Sequence, residues 1–385
     1  MSDKSTEDLH EHMKKQAEME TLKQKVLAEE LLIRARNAEN KLKQYQEGDK
    51  NNAIAKATNY SLMSDDHIAK IQKGNSEYIA AAKNKMVFIN DDFEDAIPFF
   101  QKNIILLAGQ TGDGKSTTVA NLIRSVICNK NPVTGQKRRA LVITNEEATE
   151  DVFNRVTCLS KGWDYKNHDK FTEEQVATFN RMLGILAKRG VLTVIDKNYG
   201  GSTNTTSTLE GICQIFDSLI ANKEYFDVVL IDYYQNVISS RDNPSLGPYQ
   251  VQELLANKLD GYKNVYPAAI VLMAQVAPQD KDGKVPFKIR IEGRKSILNV
   301  ATCCVEIIAD KEERVTKWRI HKSRFNGSAG QTITTGWKKG EYVPWTEEFR
   351  EEVRRWKANA EREAMDKQIG MVAPKVEPTK GEENE

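Results

Sequence analysis

The fold is decided by the stretch LLAGQTGDGKSTTVANLI, residues 106–123. Its first part continues an apolar run that begins at Asn103, and its last part has the pattern of a helix. Between them, Gly109 to Ser116 match the motif G-x-x-x-x-G-K-[ST], in the strand-to-helix context that makes the motif specific. Glycines let backbone N–H groups wrap a phosphate, and the start of the helix adds its positive dipole end. The stretch therefore predicts a loop that binds the phosphates of a nucleoside triphosphate.

The residues of this loop have separate expected roles. Lys115 is placed to reach the outer phosphates, and the Ser116 hydroxyl is placed to ligate magnesium. A fortuitous glycine-rich turn is the competing interpretation, and the strand and helix on either side disfavour it. The predicted nucleotide-binding residues are Gly109, Gln110, Thr111, Gly112, Asp113, Gly114, Lys115, Ser116 and Thr117.

Short apolar runs alternate with helical patterns from residue 86 to residue 342. The first five runs are apolar at successive positions, as in strands that helices cover on both faces of a parallel sheet. The last two are less uniform, and we interpret them as antiparallel edge strands added to that sheet. The sequence thus predicts an α/β, doubly wound domain. The runs cover residues 103–109, 139–144, 191–196, 227–232, 268–275, 303–308 and 317–322.

Carboxylates follow two of the predicted strands. Asp232 ends the run DVVLID, where open α/β sheets place their ligands, and it is the predicted second magnesium ligand beside Ser116. Glu146 and Glu147 follow the run ALVIT, and one of them is expected to orient the water that attacks the terminal phosphate. An ordinary turn aspartate and an acidic helix start are the competing interpretations.

Composition limits the classes of partner and compartment. The 385 residues carry a formal net charge of +1, so binding to nucleic acid would depend on local basic loops. The five cysteines form no C-x-x-C pair, which favours buried thiols over a zinc site or disulfides. The N-terminus has no apolar signal core and no window is apolar enough for a membrane span, so we expect a cytoplasmic protein.

The α/β domain is predicted to lie between charged extensions. Residues 1–47 carry one narrow apolar stripe at helical spacing, which predicts an extended helix in a coiled coil or oligomer, with a solvated helix as the alternative. Residues 48–90 are interpreted as a linker with short helices, broken at Gly74. The domain then covers residues 91–345, followed by a C-terminal helix over 346–370 and a disordered tail over 371–385.

Five blocks in one order resemble the RecA-like ATPases and, among them, the DnaB-type replicative helicases, as a phage-like or otherwise divergent relative. The resemblance covers residues 91–342, and it implies a RecA-like domain that hydrolyses ATP with Mg²⁺. The blocks are LLAGQTGDGKSTTVANL, ALVITNEEATEDVFNRV, LTVIDKNYGGSTNTTSTLEGICQIF, DVVLIDYYQNV and AAIVLMAQVAPQ.

The resemblance also implies roles for single residues. Glu146 falls on the family's catalytic glutamate, although Glu147 stands where the family usually has an apolar residue. Gln275 matches the glutamine that senses the γ-phosphate. Lys322 and Arg324 match a Lys-x-Arg pair that enters the ATP site of the neighbouring subunit, a solvated surface pair being the alternative. The predicted catalytic residues are thus Lys115, Glu146, Asp232, Gln275, Lys322 and Arg324.

One predicted loop carries a local excess of positive charge. Between residues 280 and 295 there are six basic and three acidic side chains, and glycine and proline indicate an exposed loop. In the family the corresponding loop follows the backbone of single-stranded DNA, which fits this charge, whereas a mobile basic surface loop is the alternative. Phe287 is available to stack on a base, although core packing is the commoner use of such a residue. The predicted DNA-binding residues are Lys281, Lys284, Lys288, Arg290 and Arg294.

These features predict a hexameric, ring-forming helicase that uses ATP to translocate on single-stranded DNA in replication, in a bacterial host cell if a phage encodes it. Residues 64–85 are the candidate linker helix that docks on a neighbouring subunit, and residues 1–47 the candidate contact for a replication partner. Two other functions stay open: a RecA-like filament-forming recombinase or ATP-switched DNA-binding protein, and an ATPase that regulates another machine. Because residues 1–90 do not resemble the family's globular N-terminal domain, ring stacking and primase docking are not carried over.

Overall fold

The fold is built on one sheet of nine strands with helices on both of its faces. The order across the sheet is β3-β2-β4-β5-β1-β6-β7-β8-β9. The first six strands in the chain are parallel, and each of the last three is antiparallel to the strand before it. This confirms the predicted α/β class with a mostly parallel sheet. The strands are β1 (Ile104–Gly109), β2 (Ala140–Thr144), β3 (Leu192–Ile195), β4 (Val228–Asp232), β5 (Ala269–Gln275), β6 (Cys303–Asp310), β7 (Val315–Ser323), β8 (Thr332–Lys338) and β9 (Glu341–Pro344).

The computed structural model describes most of the chain between residues 65 and 372. The chain divides into two units at Asn75 and Ser76, and only residues 65–75 of the first unit are described. The predicted coiled coil of residues 1–47 and residues 373–385 of the predicted tail lie outside the described residues, so the predicted domain boundaries stay predictions. The described residues are 65–83, 86, 91–97, 99–132, 134–198, 205–238, 246–278, 285–291 and 295–372.

Two apolar cores lie on opposite faces of the sheet. Alternate residues of β1 enter different cores: Leu107 packs with the helices that follow β1 and β2, whereas Leu106 packs with the helices that precede β4 and β5. Every residue of β1, β2 and β4 is buried, which explains why these strands are continuous apolar runs in the sequence. The α-helices of the described residues are α1 (Asp65–Lys83), α2 (Asp91–Ala96), α3 (Lys115–Cys128), α4 (Thr149–Lys161), α5 (Glu173–Arg189), α6 (Leu209–Ala221), α7 (Pro248–Val265), α8 (Phe287–Arg290), α9 (Ser296–Val300) and α10 (Glu347–Val372).

The far side of the sheet differs from the prediction. β6 is parallel to β1 rather than an antiparallel edge strand, because residues 276–302 form a crossover long enough to bring the chain back to the other end of the sheet. β7 is antiparallel as predicted, but it is interior because β8 and β9 extend the sheet beyond it. The sequence analysis missed these two strands, since half-exposed polar residues such as Thr332 and Thr334 interrupt any apolar run.

The first and last described helices show what the sequence could and could not predict. The predicted break at Gly74 is wrong, because α1 runs through it from Asp65 to Lys83, and an interior glycine costs a helix only about 1 kcal/mol. α10 begins after Thr346, whose hydroxyl accepts a hydrogen bond from Phe349 N at 3.3 Å, as expected for its cap. Within the described part of the chain, no helix combines the length and the apolar character needed to cross a membrane.

Candidate nucleotide-binding site

The turn between β1 and α3 has a backbone path that only glycine follows easily. Gly112 and Gly114 have φ angles of 92° and 84°, in the left-handed region that other residues adopt at a cost. Gly109 is restricted in a different way, because a Cβ there would lie 3.1 Å from the carbonyl oxygen of Ile307 on β6. The glycines of the motif are therefore required by the course of the chain, and the loop is closed by a hydrogen bond from Gln110 N to Asp113 Oδ2 at 2.9 Å.

Two of the predicted site residues meet inside this loop. Lys115 Nζ donates to the carbonyl oxygens of Gly109 and Gln110, both at 3.1 Å, so its ammonium group lies within the turn. Gln275 ends β5, which pairs with β1, and its Nε2 donates to the Thr111 hydroxyl at 3.1 Å. The sheet thus brings a cation and an amide donor to the position where a phosphate would bind.

Asp232 ends β4 with a buried carboxylate that lacks a full set of partners. The residue is 3 % exposed, and its Oδ1 has no hydrogen-bond partner among the described residues. Burial raises the pKa of Asp232 to about 7, with Glu147 and Glu146 adding to the increase and Lys115 opposing it. A bound cation would stabilise an unpartnered buried oxygen among other acids, so the surroundings of Asp232 fit a magnesium ligand. Ser116, the other predicted ligand, lies in the first turn of α3.

Asn145 positions the chain around Asp232 and was missed by the sequence analysis. Its backbone N–H donates to Asp232 O at 2.9 Å. Its side chain donates to Tyr233 O at 3.0 Å and accepts from Tyr233 N at 3.2 Å, across a peptide bond between Asp232 and Tyr233 that is cis. The only signal in the sequence was its place between the predicted strand and the glutamates, at the end where Thr144 pairs with Asp232.

The two glutamates after β2 have different surroundings. Both receive support from Thr144, whose hydroxyl accepts the N–H groups of Glu146 at 3.3 Å and of Glu147 at 3.0 Å. The Glu147 carboxylate pairs with Arg155 of α4 at 3.1 Å. Glu146 is exposed, and within the described ranges its carboxylate has no ion-pair partner. Glu146 is therefore the carboxylate of the two that is available to water.

A cavity of about 660 Å³ opens beside the phosphate loop. It begins at Gly114 and Thr117, and it extends away from β1 towards the turn between β8 and β9. Its lining is strongly basic, with two carboxylates, Asp113 and Asp164, among the lining residues. A cavity of this size and charge suits the remainder of a nucleotide whose phosphates lie in the loop. The basic lining residues are Arg155, Lys166, Lys311, Arg314, Lys338 and Lys339.

Lys322 and Arg324 lie far from this loop on the same chain. Both are at the amino-terminal edge of the parallel strands, where Arg324 N donates to Thr302 O at 2.9 Å. The loop follows the opposite edge, and the six residues of β1 separate the two edges by about 17 Å. Both side chains donate to backbone carbonyls of α9: Lys322 Nζ to Leu298 O and to Asn299 O at 3.2 Å, and Arg324 to Asn299 O at 2.8 Å. The structure thus does not bring this pair to the loop of its own chain.

The predicted DNA-binding residues are described only in part. Lys288 is exposed on α8, whereas Lys281, Lys284 and Arg294 lie outside the described residues. Arg290 differs from the prediction, because it is 5 % exposed and its guanidinium group pairs with Glu306 of β6. A buried, paired arginine is not available to a DNA phosphate.

A buried cluster explains the position of Arg290. Glu306 Oε2 also lies 2.8 Å from His321 Nε2 on β7. Burial by itself raises the pKa of Glu306, but the hydrogen bonds from His321 and Arg290 outweigh it and hold the pKa below its usual value. Phe287 is buried with its ring stacked on His321, at 4.1 Å between centroids, so it packs in the core and is not free to stack on a base. The cluster anchors α8 to the sheet.

The fold matches solved ATPase domains of DnaB-type helicases. One solved structure, of an isolated ATPase domain from such a helicase, aligns over 74% of this chain and 100% of its own, with a TM-score of 0.56 and 13% sequence identity. A structure of a DnaB-like replicative helicase, determined with attention to its interactions with primase, aligns over 73% of this chain and 66% of its own, with a TM-score of 0.55 and 12% identity. Comparison with protein-family models and with curated proteins finds no match. The chain therefore has the fold of a DnaB-type helicase ATPase domain.

Proposed function

We propose that this chain is an ATP-dependent, ring-forming helicase that translocates on single-stranded DNA during replication. The observation that carries the proposal is the meeting, at one edge of the sheet, of a glycine-shaped loop, a lysine inside it, a buried carboxylate with an unpartnered oxygen, and an exposed glutamate. Likeness in fold to a DnaB-like replicative helicase supports the same function.

The roles of the residues in ATP hydrolysis follow from their positions. The N–H groups from Gly112 to Ser116 bind the phosphates, and Lys115 neutralises their negative charge. Ser116 and Asp232 would hold Mg²⁺, which supplies positive charge to the phosphate oxygens when it is bound. Glu146 orients the water that attacks the γ-phosphate.

Lys322 and Arg324 are proposed to serve the ATP site of a neighbouring copy of the chain. They lie at the edge of the sheet opposite the loop, which favours action on another subunit over action on their own. A planar guanidinium suits the oxygens of the transferred phosphoryl group, and an arginine supplied by another subunit ties hydrolysis to subunit contact. We therefore propose a homo-oligomer, in the form of a hexameric ring.

The basic segment of residues 280–295 is proposed to follow the backbone of single-stranded DNA. Its first residues come shortly after Gln275, the residue proposed to contact the γ-phosphate, so the state of the nucleotide has a short path to the DNA. Lys288 is the exposed basic residue that the structure describes on α8, within this segment.

Strand displacement tests the proposed function. The wild-type protein is incubated with a forked DNA that has single-stranded tails, with ATP and Mg²⁺, and both strand release and phosphate release are measured. We expect ATP-dependent displacement and hydrolysis that DNA stimulates, with closed rings in negative-stain images. Hydrolysis with open helical filaments and no displacement would favour a recombinase, and hydrolysis that DNA does not stimulate would favour an ATPase that regulates another machine.

Lys288→Glu is expected to weaken binding to single-stranded DNA and to reduce its salt dependence. A lysine that neutralises a phosphate releases a counterion, so its loss should lower the slope of log K against log salt by about 0.7. Fluorescence anisotropy of a labelled oligothymidylate at several salt concentrations measures the slope. The matched control is Lys161→Glu, which makes the same charge change at the exposed end of α4 and should keep the wild-type slope. The same slope in both variants would place the DNA elsewhere.

A further inference from the structure

We infer that Tyr342 is a positioning residue for the phosphate loop: its hydroxyl restrains the Gly114 peptide and so aims the N–H of Lys115 at the phosphates. The inference rests on the proposed function of the loop as an ATP site. It assigns a role to the hairpin of β8 and β9, which reaches the start of α3 although β6, β7 and β8 separate β9 from β1 in the sheet.

Three oxygens form a compact group at the start of α3. The hydroxyls of Thr118 and Tyr342 are 2.9 Å apart. The carbonyl oxygen of Gly114 lies 3.0 Å from the Thr118 hydroxyl and 3.5 Å from the Tyr342 hydroxyl. The backbone N–H of Thr118 donates to the same carbonyl at 2.8 Å. The Gly114 carbonyl is therefore surrounded by donors that come from its own helix and from the distant hairpin.

The orientation of this carbonyl determines the orientation of a loop N–H. A peptide group is planar, so the direction of the Gly114 carbonyl fixes the opposite direction of the N–H of Lys115. Gly114 has a φ angle of 84°, and glycine has more backbone conformations available than any other residue. Restraint from the two hydroxyls keeps this peptide in the one orientation that serves a bound phosphate.

The Tyr342 hydroxyl has a rigid support. Tyr342 N donates to Asn121 Oδ1 at 3.1 Å, and Asn121 Nδ2 donates to Gly340 O at 2.7 Å, so α3 and the hairpin hold each other. The ring is 7 % exposed and lies edge-on to Trp318, with 5.0 Å between centroids. Burial raises the pKa of Tyr342 to about 12, so the hydroxyl keeps its hydrogen at neutral pH.

Tyr342→Phe separates this role from a general role in stability. We expect the KM for ATP to rise by about fivefold, the usual effect of one lost hydrogen bond, with a smaller change in kcat. The matched control is Tyr266→Phe, which removes a buried hydroxyl that contacts Phe226 N and Glu224 O, both at 3.0 Å, at the other edge of the sheet. The control should lose similar thermal stability and keep the wild-type KM. Equal KM values in Tyr342→Phe and wild type, or equal increases in both variants, would overturn the inference.

Thr118→Val, alone and combined with Tyr342→Phe, tests whether the two hydroxyls act as one unit. We expect the KM of the double variant to equal that of Thr118→Val alone, because Tyr342 acts through Thr118. Effects that multiply in the double variant would overturn the inference. A wild-type protein that neither binds nor hydrolyses ATP would overturn the proposed function itself, whereas wild-type turnover with an unaffected Tyr342→Phe variant overturns the positioning role alone.

Discussion

Lys115→Ala is expected to abolish ATP hydrolysis, with a loss of turnover of about a thousandfold. The lysine ammonium lies within the loop, bonded to the carbonyl oxygens of Gly109 and Gln110 at 3.1 Å, and it is the cation of the loop motif. Truncation removes the positive charge that would stabilise the phosphates as negative charge develops in the transition state. Release of inorganic phosphate measures turnover, and a fluorescent ATP analogue measures binding separately.

The control for this prediction is Lys161→Ala, which removes a lysine from the exposed end of α4 and should keep wild-type turnover. Thermal unfolding of both variants shows whether the loop still folds once Lys115 no longer bonds its carbonyls. Turnover close to that of the wild type in Lys115→Ala would remove the ATPase assignment, and with it every proposed role at this edge of the sheet.

Arg324→Ala is expected to bind ATP normally and to lose turnover by a factor of about a thousand or more, as for other arginines supplied between subunits. Its side chain lies at the opposite edge of the sheet from the loop, so the loss would arise at the site of a neighbour. Arg319→Ala is the matched control, because Arg319 is exposed on β7 and lies outside the proposed pair.

Mixing two inactive variants separates action between subunits from action within one. Arg324→Ala keeps an intact loop, and Lys115→Ala keeps an intact Lys322–Arg324 pair. In an equal mixture, about a quarter of the contacts should combine the intact loop of one variant with the intact pair of the other, and turnover should return in that proportion. A mixture as inactive as its components would argue against a site shared between subunits.

The sequence predicts those parts of the fold in which burial leaves a local pattern. β1 and β4 are buried on both faces, so each is a continuous apolar run that spacing alone identifies. β8 and β9 lie at the open edge of the sheet, where residues such as Thr332 remain exposed and no such run forms. The direction of β6 was wrong because it depends on the crossover that precedes it, and not on the residues of the strand.

The same distinction applies to the candidate site. Asp232 and Gln275 were identifiable because each ends a buried strand, and parallel strands bring such ends together. Arg290 was assigned wrongly because its charge is visible in the sequence, whereas its partner Glu306 is on another element. Tyr342 was missed because its contact with Thr118 joins residues 224 positions apart, and no local spacing encodes such a contact.

A subunit that offers its loop at one edge and Lys322 with Arg324 at the other cannot complete two sites in a two-fold dimer, because a two-fold axis sets a surface against itself. Copies would instead join head to tail. An open row would then always hold one fewer complete site than it has subunits, and the last site would be completed only when the row closes on itself. The number of active sites per subunit would therefore report whether the assembly is open or closed.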